Sequence, residues 1–401
     1  MLQRRAFAGA AAAAWFAPAF ARAQDGGAPA TSDATPAPPA PPTTPAPPAT
    51  PRRATLPSPN LALARGERPQ FIAGLRPHRA GSYRLETETA SGKLVIHNYG
   101  HGGGGITMSW GCAAGVLALL QAQRATLKDT KVAVLGAGVM GLTAAVLLAE
   151  AGYDVAVYAQ HITPNTTSDK AGGQWAPTLV ENDNATKFKG LLKSAYSIHL
   201  TRGATYGVSE RDNYTLQASP ELVYAQMAGA AAPEQLARLP FSHVRHGGYR
   251  YPTLLVEPPV LMKRLMADLK ARGVTPIVRT FASASEIATL PGSAVVNCLG
   301  LGAREVWADK KLNGIKGVLA FLPPQPSLTY LYSGIGYLFP RKDHLVVGGS
   351  IEDLTLPQEN ETPDPKMGYL IIKIVRAVFD GALPAPPWLS GLDRLSDKDW
   401  M

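Results

Sequence analysis

Lys131-Val132-Ala133-Val134-Leu135-Gly136-Ala137-Gly138-Val139-Met140-Gly141 is a short apolar run, rich in β-branched residues, that leads straight into a Gly-x-Gly-x-x-Gly turn. The run suits a buried parallel strand. Helical spacing follows through Leu142, Val146, Leu147 and Ala151, Gly152 stops it, and residues 154–158 supply a second strand. Strand, glycine loop, helix and strand in that order are the context in which the glycines mean a dinucleotide site. The glycines let the backbone approach a pyrophosphate, and the helix N-terminus faces its charge. The fold class expected is therefore α/β with a Rossmann-type domain, and Gly136, Ala137, Gly138, Val139, Met140 and Gly141 are its cofactor contacts. An acidic residue usually ends the second strand and holds the ribose hydroxyls. Here Gln160 stands there, 22 residues after Gly138, with His161 beside it. An amide still bonds a hydroxyl but gives up charge assistance.

A second glycine-rich block, His97-Asn98-Tyr99-Gly100-His101-Gly102-Gly103-Gly104-Gly105-Ile106-Thr107, precedes the first. It reads as a strand over 94–98, a glycine loop and an apolar helix over 107–123. That arrangement aims another helix N-terminus at an electron-rich group. In an oxidised flavin this is the N1–C2=O edge, which gains negative charge on reduction. A dehydrogenase using nicotinamide does not need a second loop of this kind. Gly102, Gly103, Gly104, Gly105, Ile106 and Thr107 are thus flavin contacts, while His97 and His101 read as structural hydrogen-bonding groups.

Together the two blocks resemble the D-amino-acid oxidase family of flavoproteins. In that family the fingerprint opens the chain and the His-Asn-Tyr-Gly-His-Gly-Gly block lies near its end, so the order here is reversed. The resemblance spans about residues 67–379. It implies bound FAD, a Rossmann-type FAD-binding domain, a mixed-sheet substrate-binding domain and a circular permutation. The permutation predicts that the region around Arg68 lies near the chain end at Trp388 to Trp400. Residues 163–169 and 171–175 look like the family's hydroxyl-rich and Gly-Trp segments. They place Thr166, Thr167 and Ser168 at the pyrophosphate and Gly173 and Gln174 at the flavin ring edge, with one threonine open to a helix-capping role. Residues 294–300 resemble the Val-Asn-Cys-x-Gly strand under the adenosine, and Phe281 is placed with the cofactor contacts.

Gly74-Leu75-Arg76-Pro77-His78-Arg79 resembles the family's Gly-Phe-Arg-Pro-x-Arg segment, which makes Arg76 the clamp on a substrate carboxylate. A planar guanidinium binds carboxylate in two places at once. Tyr337-Leu338-Phe339-Pro340 and the following Gly348-Gly349 match a Tyr-x-x-Pro strand and a Gly-Gly turn, so Tyr337 joins Arg76. A second family tyrosine corresponds to Ser333. The adjacent Tyr332 is placed with the substrate-binding residues in its stead, although a one-residue slip in a strand flips the face. The carbonyl near Gly103 would hold the amine. Gly104 replaces a family aromatic residue, so a looser loop is expected over the ring. The basic stretch His243, Arg245, His246 and Arg250 either favours an acidic substrate side chain or is a solvated surface. No side chain is assigned as a catalyst, because the flavin does the hard chemistry, and no metal is assigned. The implied reaction is oxidative deamination of a D-amino acid to a 2-oxo acid and ammonia, with oxygen reduced to hydrogen peroxide. The rivals are a dehydrogenase of an amine or amino acid using another electron acceptor, and a non-catalytic flavin-binding protein.

Composition frames these readings. The chain has 401 residues, 46% hydrophobic, with a formal charge of +9 but no dense Lys/Arg run beyond its first residues. A nucleic-acid partner is not supported. Arg4-Arg5, an apolar run from Ala8 to Phe20 and Ala21-Arg22-Ala23 read as a twin-arginine signal, implying the twin-arginine export machinery as a partner and a periplasmic location. The apolar run is too short for a permanent membrane span. The two cysteines, Cys112 and Cys298, are expected as buried free thiols. The segments expected are the signal over 1–23, a Pro/Ala-rich disordered linker over 24–66 and a substrate-side strand over 67–90. FAD-binding segments follow over 91–190 and 257–310, and substrate-domain segments over 191–256 and 311–401. Oligomeric state is left open by the sequence.

Overall fold

The computed structural model describes residues 54–63, 68–349 and 360–382. The signal, most of the Pro-rich spacer and Trp388 to Trp400 lie outside them. The chain enters β1 (Gln70–Arg79), β2 (Arg84–Ala90) and β3 (Lys93–Tyr99), and a tight turn at Gly102–Gly104 delivers it to α1 (Gly105–Ala122). The fingerprint unit follows as β4 (Lys131–Leu135), α2 (Val139–Glu150) and β5 (Asp154–Ala159). Four of the five residues of β4 are buried, as the continuous apolar run requires of a strand covered on both faces. Beyond β5 come α3 (Ala185–Arg202), β6 (Val208–Thr215), α4 (Pro220–Met227), β7 (Glu234–Leu236), β8 (Gly248–Val256) and α5 (Pro258–Ala271). The last elements are β9 (Ile277–Val278), β10 (Ala294–Asn297), α6 (Ala303–Val306), β11 (Leu312–Leu322), β12 (Leu331–Gly334), β13 (Gly336–Pro340), β14 (Leu345–Gly349) and α7 (Pro365–Phe379).

Two sheets result. The six-stranded one has the order β2-β3-β10-β4-β5-β9, with β3, β10, β4, β5 and β9 parallel. The two glycine loops therefore leave the same, C-terminal edge of one sheet, flanking β10. That edge is where ligands bind in open α/β sheets. One face of this sheet buries Trp110, Val116, Leu142, Val146 and Leu265 of α1, α2 and α5, and the other carries Val95, Leu135, Phe281 and Ile287. Among the described residues one helix, Gly102–Ala122, is long and apolar enough to cross a bilayer. Met108, Trp110, Ala113, Val116 and Leu120 are buried in it, so it is a core helix.

The eight-stranded sheet has the order β1-β11-β14-β13-β12-β6-β8-β7 and is mixed, with β12 and β6 parallel and its other pairs antiparallel. α7 covers one face, where Ile371, Val375 and Phe379 meet Tyr332, Leu338 and Val347. The opposite face presents Leu331, Phe339, Val346 and Tyr337 toward the six-stranded half.

Several expectations move. Residues 84–90, assigned by sequence to the substrate side, pair with β3 in the six-stranded sheet, so the crossing falls at the turn before Arg84. α3 straddles the expected boundary at 190 and packs on α1, burying Phe188 and Leu192 in the core of the six-stranded half. The strand expected over 274–278 shortens to Ile277–Val278, an exposed edge pair. Gly348 and Gly349 do not form a turn. They are the end of β14, opposite Tyr337 and Gly336. Near the start of β1, Phe71 meets Tyr369 of α7 with ring centroids 4.9 Å apart.

Candidate active site

Between the two sheets lies a cavity of about 1480 Å³ that receives both glycine loops and the strands of the larger sheet. Small-molecule pockets are typically about 300–1,000 Å³, so there is room for a dinucleotide and a substrate together. At the fingerprint, Gly136 has φ +108°, and a Cβ there would strike the carbonyl of Cys298. Gly141 faces inward against the carbonyl of Gly136, which brings helix and strand together and leaves Gly141 off the cavity wall. The N-terminus of α2 is thus carried to the cavity, which Ala137, Gly138, Val139 and Met140 line. Ser168 Oγ accepts from Val139 N at 2.9 Å, and Thr167 and Ser168 also line the wall. Thr166 is the capping threonine. Its N and Oγ1 donate to Asp169 at 2.9 and 2.6 Å, although it too borders the cavity. Gln160 and His161 stand at the end of β5, and Phe281 lies under the guanidinium of Arg279 at 4.7 Å on the same wall.

At the other loop, Gly102, Gly103, Gly105 and Ile106 line the cavity. Gly104 and Thr107 do not. A Cβ on Gly104 would come within 2.5 Å of Val180 Cγ2, and Thr107 Oγ1 donates to Ala176 O and accepts from Ala176 N, both at 2.9 Å. The four-glycine loop is therefore close-packed against the 176–180 segment, where the sequence suggested looseness. Val180 fills the space beside Gly104. His97 accepts from Asn297 Nδ2 at 3.1 Å through Nδ1 and faces Glu88 at 3.0 Å through Nε2. His101 is enclosed beside Cys112 Sγ at 3.4 Å and stacked on Tyr83. Burial pushes His101 down to about 3, so it stays neutral. Cys112 and Cys298 are both free and buried.

The part of the cavity where the sequence places the substrate is built from side chains. The guanidinium of Arg76 crosses from β1 to lie over Gly317 of β11, where any side chain would occupy its place, and Nη1 donates to Lys316 O at 3.3 Å. The ring of Tyr337 leans from β13 over Gly348 of β14 in the same way and stacks on Phe339 with centroids 4.6 Å apart. Arg76 and Tyr337 meet: burial raises the Tyr337 hydroxyl, and the Arg76 charge and hydrogen bond oppose that rise. Gly103 closes the group, its ideal Cβ position 3.3 Å from Arg76 Cδ. Tyr332 does not take part. The alternation of β12 turns it to the α7 face, fully buried against Phe379 at 5.3 Å, while Ser333 pairs with Tyr337 and faces the cavity. Gln174 also lines the wall, donating from Nε2 to Tyr251 Oη at 3.0 Å. None of His243, Arg245, His246 and Arg250 reaches the cavity. Arg250 is held by Asp212 at 2.7 Å and Glu234 at 3.5 Å.

Thr215, Ser219, Glu221, Lys170 and Phe339 line the cavity without having been singled out by sequence. Gly317 and Gly348 floor the Arg76 and Tyr337 side chains instead, since a glycine inside a strand often marks close approach. The donor set fits FAD: a helix N-terminus with small residues for a pyrophosphate, a second one beyond Gly102–Gly104 for the ring, and a clamp for a substrate acid. The family model described as FAD dependent oxidoreductase (DAO) matches residues 131–398. A D-amino-acid oxidase from Streptomyces coelicolor is 27% identical over 268 residues, covering 61% of this chain and 77% of the relative. Human D-aspartate oxidase is 27% identical over 245 residues, covering 56% and 69%. Among solved structures, glycine oxidase from Geobacillus kaustophilus superposes with a TM-score of 0.46 at 16% identity, over 62% of this chain and 77% of that one. With glycine loops and the Arg76–Tyr337 pair in one cavity, and a family match over two thirds of its length, the chain belongs to the D-amino-acid oxidase family of FAD-dependent oxidoreductases.

Proposed function

We propose that this protein deaminates a D-amino acid oxidatively, giving a 2-oxo acid and ammonia while oxygen is reduced to hydrogen peroxide. The observation that carries the reading is the convergence of Arg76, Tyr337 and Gly103 in the cavity that also holds the fingerprint. Arg76 presents a fixed charge and Tyr337 a hydroxyl to a carboxylate, and burial keeps that hydroxyl protonated as a donor. In this reading the Gly103 backbone, which lines the cavity beside Arg76, would hold the neutral amine through its carbonyl. FAD, when bound, supplies the hydride acceptor. The chain's share is orientation and exclusion of water, and no side-chain base is required for it. D-Amino-acid oxidase relatives and the motif resemblance support the choice of D-configured substrates. The Arg4-Arg5 pair supports export by the twin-arginine route, and the reversed order of the glycine blocks supports a permuted chain.

The test is anaerobic flavin reduction with a panel of matched D- and L-amino acids. Bleaching by D-forms alone, followed by rapid reoxidation in air with peroxide formed, is the expected result. Bleaching by L-forms would overturn the stereochemical reading, and bleaching with slow reoxidation in air would turn the oxidase into a dehydrogenase.

A further inference from the structure

The cavity does not stop at Tyr337. It continues along the larger sheet past Ser333 of β12 to Thr215 at the end of β6, and then to Ser219 and Glu221 at the start of α4. The charged groups on its walls are otherwise accounted for. Lys170 is paired with Glu361, Arg279 with Glu286, and Glu305 with Arg304. Arg76 belongs to the clamp, and His161 stands at the cofactor end. Glu221 is different. It is partly buried, and among the described residues no hydrogen bond or ion pair engages its carboxylate. Its charge is felt at the hydroxyls of Tyr224 and Tyr251, each held up first by burial. Tyr251 receives Gln174 and touches Ser333, and Glu221 lines the same cavity as Gln174, Thr215 and Ser333.

The geometry points to Glu221 as the end of a side-chain subsite that selects D-amino acids with a long cationic side chain, of the arginine or lysine kind. This inference rests on the proposed amino-acid oxidation. A carboxylate in a confined site repels an acidic side chain and loses water without return when a neutral one enters, whereas an ammonium or guanidinium supplies the missing partner. The basic stretch that would have favoured an acidic substrate lies off the cavity, with Arg250 already neutralised by two carboxylates. Length follows from the sheet order. Three strand spacings, about 14 Å, separate β6 from β14, whose Gly348 lies beneath the Tyr337 ring, so a short side chain leaves the far end unfilled. The hydroxyls of Ser333 and Thr215 line the path.

The experiment uses the holoenzyme and two readouts. Binding of δ-guanidinovalerate, valerate and adipate, followed through the visible spectrum of the bound flavin, reports the subsite without turnover. δ-Guanidinovalerate is expected to bind at least about tenfold tighter than the other two. Glu221→Gln should remove that preference and Glu221→Asp should keep most of it, with flavin content and Tm checked for both variants. Equal binding of valerate or adipate, or a preference that survives in Glu221→Gln, would overturn the inference. The second readout is anaerobic reduction by D-arginine and D-norleucine. If D-norleucine reduces the flavin as well as D-arginine does, the activity stands and the subsite falls. If no amino acid reduces it while the δ-guanidinovalerate preference holds, the activity falls and the subsite stands.

Discussion

The two ends of the cavity are made of different material. The cofactor end is mostly backbone: Gly136 to Met140 in one loop, and Gly102, Gly103, Gly105 and Ile106 in the other, each loop leading into a helix N-terminus. The proposed substrate end is side chain: Arg76 from β1, Tyr337 from β13, Ser333 from β12, Thr215 from β6 and Glu221 from α4. The first four share one cavity because the sheet runs β1-β11-β14-β13-β12-β6, and Glu221 joins them from α4, which follows β6. A ligand held by local backbone leaves a short, spaced motif. A ligand held across a sheet leaves residue identities whose partners depend on register.

The contrast predicts different failures at the two ends. Gly136→Val should abolish the cofactor end outright. Its φ of +108° is closed to a β-branched residue, and the new side chain meets the Cys298 carbonyl. The protein should purify without flavin absorbance, and a full flavin complement would break the assignment of Gly136 to the cradle. Arg76→Ala should do the reverse. The loss of a two-point charged clamp costs about 3–4 kcal/mol, or roughly 10²- to 10³-fold in kcat/KM, with flavin retained. Unchanged kcat/KM would remove Arg76 from the substrate end.

Legibility followed the same division. β4, the fingerprint and β5 were readable because strand, turn and helix are fixed within about 30 residues. Arg76 and Tyr337 were readable as residues, but their glycine floors, Gly317 and Gly348, were not, since a Gly-Gly pair reads as a turn until the strand opposite is known. Tyr332 and Ser333 were undecidable from spacing alone. The pairing of Ser333 with Tyr337 settles which of the two faces the cavity. Glu221 carried no signal at all: one acid in the first turn of a short helix is an ordinary dipole partner. The apparent looseness at Gly104 vanished because Val180, 76 positions later, fills the gap.

Acid should strike the ring end. His101 and His199 are buried around α1, with His199 Nε2 donating to Ile106 O at 3.0 Å, and burial holds them down to about 3 and about 4. Both folded values lie below the unfolded value of about 6.5, so below that pH the unfolded chain binds more protons. Their contribution is whole above about pH 6.5 and is lost as pH falls toward the folded values, with His101 alone costing about 3 kcal/mol at about pH 4. A pH series of Tm and flavin release should show stability and flavin retention falling together through this window, and a flat Tm would contradict it. At the substrate end, Gly348→Ala should push the Tyr337 ring off its floor and lower kcat/KM about tenfold with flavin content intact. Wild-type kinetics would mean that the ring position is immaterial to binding.

The smallest effect isolates a cofactor-end position where the side chain departs from the usual carboxylate. Gln160 follows β5 and lines the cavity where the ribose of a dinucleotide is usually held by a carboxylate. Gln160→Glu restores a charged acceptor, and the gain from a neutral to a charge-assisted bond is about 1 kcal/mol, or about fivefold in the FAD Kd. Arg279 on the same wall favours a carboxylate there as well, so the gain should shrink with added salt. FAD titration into deflavinated protein at low and high salt measures both terms. Substrate kinetics at saturating FAD should not move, because Gln160 follows a strand of the six-stranded sheet while Arg76 and Tyr337 stand on the eight-stranded one. Unchanged or weaker FAD binding would transfer the ribose contact to His161, the next residue on that wall. A change in kcat/KM would show that the two ends are coupled after all.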